Sequence, residues 1–109
     1  MIVVYRAEEY TYRVFWSEED QVFVSTVVEF PSLSNVDEDR ITALNGMSGL
    51  LAFVLKDMES KGEEIPPPLG KRYYSGKISL RMNPEQHRRI AMEAAEQGVS
   101  INQLLVSRI

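Results

Sequence analysis

Cysteine is absent from the chain and histidine occurs once, at His87. The first absence excludes disulfides and thiolate metal sites. A single imidazole means that zinc or nickel would need carboxylates or a second subunit, so metal sensing is rejected. Long apolar runs are missing too. No stretch approaches the roughly 20 residues of a membrane span. MIVVYRAEEY lacks the basic start and long apolar core of a signal peptide, which makes the cytoplasm the expected compartment. Neither a P-loop nor a dinucleotide-type glycine loop occurs. No Ser/His/Asp or Cys/His set can be assembled beyond His87. Asp20, Asp37 and Asp39 fall at a turn and a helix start, not at strand positions that would converge on a metal pair. The expectation is a non-enzyme without a cofactor.

What is present is unevenly charged. The net charge is −4 over 109 residues, but residues 1–74 carry 7 basic and 13 acidic side chains, whereas residues 75–109 carry 5 and 3. The two parts therefore suit different partners: a basic protein for the first, and a phosphate backbone, where affinity comes largely from counterion release, for the second.

Ser75 to Ile109 reads as one strand followed by two helices. From Lys77 to Met82 the pattern alternates, with Ile78, Leu80 and Met82 on one face and Lys77, Ser79 and Arg81 on the other. Asn83 is placed as an N-cap, Pro84 at the first helical position and Gln86 as the return arm of a capping box. The first helix runs to about Gln97, presents Ile90, Ala91, Ala94 and Ala95 inward, and ends at Gly98 in a left-handed conformation. Ser100 and Gln103 form a second capping box, opening a helix with Ile101, Leu104 and Leu105 inward. A lone strand with an apolar underside is marginal, so it is expected to pair antiparallel with its copy in another chain, roofed by four helices. Such a ribbon fits the major groove of B-DNA, with Lys77, Ser79 and Arg81 facing base edges. The backbone N–H groups near Ser100, Ile101 and Asn102 would then hold a phosphate. On the strength of KISLRMNPEQHRRI followed by GVSINQLL, the segment resembles the ribbon-helix-helix DNA-binding family.

The preceding residues predict an α+β fold in which a small antiparallel sheet is packed by one long helix. Tyr10, Tyr12, Val14 and Trp16 alternate along a β-rich run from Glu8 to Trp16, and the β-branched run Val22–Val28 completes a hairpin. Phe30-Pro31-Ser32-Leu33-Ser34 reads as the break that leads off the sheet. A helix from about Glu38 to Ser60, capped by Asp37 or Asp39, places Ile41, Leu44, Met47, Leu51, Val54, Leu55 and Met58 on one side. Gly46 and Gly49 within it point to close approach of the sheet or of a neighbouring subunit. Lys61 to Gly70, with Pro66-Pro67-Pro68, reads as a stiff linker, and Lys71–Tyr74 as a short added strand. The expected organisation is a first domain at 1–65, a linker at 66–74 and a DNA-binding domain at 75–109.

The hairpin, the phrase Glu29-Phe30-Pro31-Ser32-Leu33-Ser34, the acidic helix start with Ala43-Leu44 and Gly62-Glu63-Glu64-Ile65-Pro66 together resemble the HicB family of antitoxins. The family phrase usually carries glycine where Ser32 stands. Its last helix is usually longer than one ending at Ile109. The resemblance implies a partial RNase H-like first domain that binds a HicA-like toxin, a small basic mRNA interferase, and masks its active site. It also implies binding of the operator as a homodimer or tetramer, with repression of the operon. The other reading of the residues is a stand-alone ribbon-helix-helix repressor whose first module oligomerises or senses a ligand.

Overall fold

The structure, a computed structural model, describes residues 5–109. Internal contacts divide the chain into two compact units, one ending at Tyr73 and one running from Tyr74 to Ile109. The fold is α+β. In the first unit β1 (Tyr12–Ser17), β2 (Val22–Val27) and β3 (Phe30–Asp37) form an antiparallel meander in the order β1-β2-β3, and α1 (Arg40–Ser60) packs on one of its faces. Among the described residues no helix is long and apolar enough to cross a membrane.

Alternation along the strands decides which side chains meet the helix. The row Val14–Ser25–Asn35 lies under α1, where the Asn35 amide donates to the Ala43 carbonyl at 3.0 Å. A core closes around Val27, Phe30, Met47, Leu51 and Leu55, with Ala7 and Tyr10 contributed by the 3-10 turn Ala7–Glu9 and the residue after it. Met47 and Leu51 are fully buried. Removing a leucine side chain of this kind from water contributes about 2 kcal/mol. Ser25 is also fully buried, and its hydroxyl has no hydrogen-bond partner among the described residues.

Several sequence expectations change here. The β-rich run starts later than expected, because Ala7–Glu9 is a 3-10 turn. Phe30–Asp37 does not leave the sheet: it is the third strand, joined to β2 through a bulge at Thr26/Val27. Pro31 is tolerated because, among the described residues, β3 is an edge strand, and Pro31 lies in the irregular stretch between the Val27–Phe30 and Thr26–Ser34 pairs. Ser32 sits within that strand without a positive φ, so its position requires no glycine. Asp39 is the N-cap of α1, accepting from the Thr42 N–H at 2.9 Å, while Asp37 accepts from the Asp39 N–H. Ile41, expected on the inner side, is 66% exposed, and Ala43 takes its place in the buried stripe. Of the two glycines only Gly46 approaches the sheet, where a Cβ would lie 2.2 Å from the Asn35 amide nitrogen; at Gly49 nothing stands within 4 Å.

The expected linker is part of the first unit. The Tyr10 hydroxyl donates to the Pro66 carbonyl at 2.7 Å, Pro68 is fully buried, and Leu69–Lys71 is a 3-10 turn instead of a strand. Lys71 pairs with Glu9 at 2.9 Å. The centre of this attachment is Glu29, buried in the β2–β3 turn. Its carboxylate accepts from the Thr11 N–H, the Thr11 hydroxyl and the Leu69 N–H at 3.0, 3.1 and 2.9 Å. Burial alone would raise its pKa, but the N–H donors of Leu69 and Thr11 outweigh this and hold it below the ordinary carboxylate value. Burial pushes the Tyr10 phenol up to about 12, which keeps it a hydrogen-bond donor at any physiological pH.

Candidate nucleic-acid interface

The second unit contains α2 (Pro84–Gln97) and α3 (Ile101–Val106). Both begin on capping boxes at the expected residues. Asn83 accepts from the Gln86 N–H at 2.8 Å and Gln86 returns to the Asn83 N–H at 3.2 Å. Ser100 and Gln103 do the same at 3.0 and 2.8 Å. Gly98 ends α2 at φ 69°, in the left-handed region where glycine carries no Cβ penalty. The Val99 N–H then bonds back to the Ala94 carbonyl at 3.0 Å, which turns the chain sharply into α3.

Packing between the helices is thin. Ala94 and Leu104 are the buried pair, Ile90, Ala91, Ile101 and Leu105 are half-buried, and an ion pair between Arg108 and Glu93 ties the end of the chain to α2. Among the described residues, 77–82 form no strand, and the Lys77 N–H donates to the Ser75 hydroxyl at 3.1 Å. Ile78 is 86% exposed, Leu80 63% and Ile109 fully exposed. These side chains, with Met82, Ile90, Ile101 and Leu105, line an open groove of about 660 Å³.

The predicted contact residues divide between two settings. Arg81, Ile101 and Asn102 line the groove together with Ile78 and Leu80, whereas Lys77, Ser79 and Ser100 do not. Lys77 and Ser79 are exposed on the alternate positions of the stretch. Arg81 departs from strict alternation: it also lines a second hollow of about 530 Å³ beside Gln86, Arg89 and Glu93. His87, unassigned in the sequence, is a further residue of the larger groove. At the start of α3 the Ser100 hydroxyl is already committed to the Gln103 N–H, so a phosphate there would meet the first-turn N–H groups of Ile101 and Asn102 rather than the serine oxygen. Among the described residues no group of three His, Cys, Asp or Glu side chains is placed to hold a metal ion.

No curated protein and no solved structure matches the chain. The model of the HicB family matches residues 59–109, which include the whole second unit and the end of α1 with the segment docked beside Glu29.

Proposed function

We propose that this chain is the antitoxin of a type II toxin–antitoxin pair. Its first unit is a partial RNase H-like module that neutralises a HicA-like mRNA interferase by covering the active site. Its second unit is a ribbon-helix-helix half that a second copy completes, as a dimer or tetramer in the cytoplasm. The completed ribbon presents Lys77, Ser79 and Arg81 to operator bases, with Ile101 and Asn102 at a phosphate, and represses the operon. The match of residues 59–109 to the HicB family carries this reading. The open groove lined by Ile78, Leu80 and Ile109 fits it, because apolar side chains that exposed are costly to leave in water. The role asks for no catalytic group of the chain's own.

The test is capture from source-cell lysate with the full chain as bait, followed by an RNA-cleavage assay on what is bound. A small basic RNase that the chain silences supports the proposal. Recovery of no RNase leaves the stand-alone repressor. For the DNA side, Arg81→Ala is expected to lose about 1–3 kcal/mol of base discrimination. Competitive titration against operator and random duplexes measures it, and equal weakening on both would make Arg81 a phosphate contact.

A further inference from the structure

The meander has one face under α1 and one face that no described element of the first unit covers. By strand alternation the bare face carries the row Phe15–Val24–Val36, joined residue to residue across all three strands. Phe15 is 48% and Val36 56% exposed, and neither belongs to the hydrophobic core. An exposed sheet face of a small protein is ordinarily polar. The next row, Arg13–Thr26–Ser34, is polar.

Carboxylates rim the other end of the apolar row. Glu18, Glu19 and Asp20 occupy the β1–β2 turn, just beyond the Ser17–Val22 pair, and Glu38 follows the last residue of β3. All four are exposed, and none forms an ion pair among the described residues. The nearby cation Arg40 is occupied over the Phe23 ring, 5.0 Å from its centre. Charge separates the two possible occupants. A second copy related by a two-fold axis along the strands would bring two sets of carboxylates together, and one related by an axis across them would set only Arg13 of the polar row against four carboxylates. A basic partner would neutralise them.

We propose that this bare sheet face is the docking surface for a basic protein, with Phe15, Val24 and Val36 as the apolar centre and Glu18, Glu19 and Glu38 as the steering rim. The inference rests on the antitoxin reading, in which that partner is the RNase. Phe15→Arg combined with Val36→Arg, in the full chain, places like charge against the partner at two exposed positions. Inhibition of the captured RNase should weaken by about 30-fold or more, the effect of losing one strong interface anchor. Operator binding and sedimentation mass should stay as in the wild type. In a second variant, Glu18→Lys with Glu19→Lys and Glu38→Lys, the association rate should fall by about tenfold and lose most of its salt dependence. The second variant decides the matter if the first does not fold, since its positions lie in the turn and the strand–helix junction.

Wild-type inhibition by both variants overturns the surface and leaves the antitoxin reading intact. A change in sedimentation mass that accompanies lost inhibition overturns it in favour of contact between copies. Failure of the wild-type chain to capture any RNase overturns the antitoxin reading, and this inference with it.

Discussion

The two units solve the problem of burying apolar surface in opposite ways. In the first, a sheet of three strands, a helix of 21 residues and a docked strap close around Val27, Met47 and Leu51, all under 2% exposed. In the second, two helices bury only Ala94 and Leu104, and leave Ile78, Leu80, Val106 and Ile109 more than 60% exposed. A short segment has too much surface for its volume to make a large core alone, so anything that filled the groove would add to its stability. The difference teaches where to look for concentration dependence: the first unit encloses its own core, and the second leaves most of its apolar surface open.

The largest test of that contrast is Leu51→Ala, expected to cost about 2–5 kcal/mol because the fully buried site cannot collapse around the cavity. Chemical denaturation followed by Trp16 fluorescence should show the loss at every protein concentration, whereas unfolding of the second unit, read by amide exchange in α2 and α3, should move to higher denaturant as the concentration rises. A second unit insensitive to concentration would break the comparison.

Glu29 sharpens it from the side of the first unit. The folded-state pKa of this carboxylate is depressed, so its contribution is complete above the ordinary value near 4.5 and is lost as pH falls through the lower, folded value. Acid titration should release the strap before the rest of the unit, seen as faster amide exchange at Leu69 and Lys71, while α2 and α3 are unaffected. In Glu29→Gln that pH dependence should disappear.

The smallest effects separate the two glycines of α1. Gly46→Ala drives a methyl into the Asn35 amide, whose bond to the Ala43 carbonyl fixes it in place, and should destabilise by about 1–3 kcal/mol. Gly49→Ala meets open space and should stabilise by about 1 kcal/mol through helix propensity. Thermal unfolding of both variants measures the pair, and a destabilised Gly49→Ala would mean that a neighbouring subunit approaches there after all.

Local chemistry was legible residue by residue. Asn83 with Gln86 and Ser100 with Gln103 are capping boxes because their partners are three residues away, and Gly98 takes the left-handed end of α2 for the same kind of short-range reason. The strand identity of Phe30–Asp37 was hidden by Pro31, which argues against a central strand and says nothing against an edge. Edge and centre are assigned by neighbours, and among the described residues β3 has one.

Sequence by itself determined the α-helices of both units, the capping boxes of α2 and α3 and the charge division near residue 74. Only the tertiary structure decided that Glu29 holds the Leu69 N–H 40 residues away, that Gly46 and not Gly49 lies against the sheet, and that Phe15 and Val36 share one bare face. The physical reason is range. Caps and periodicity are set by contacts within a turn or two of backbone, whereas a buried carboxylate, a close approach and a sheet face each depend on segments that only the fold brings together.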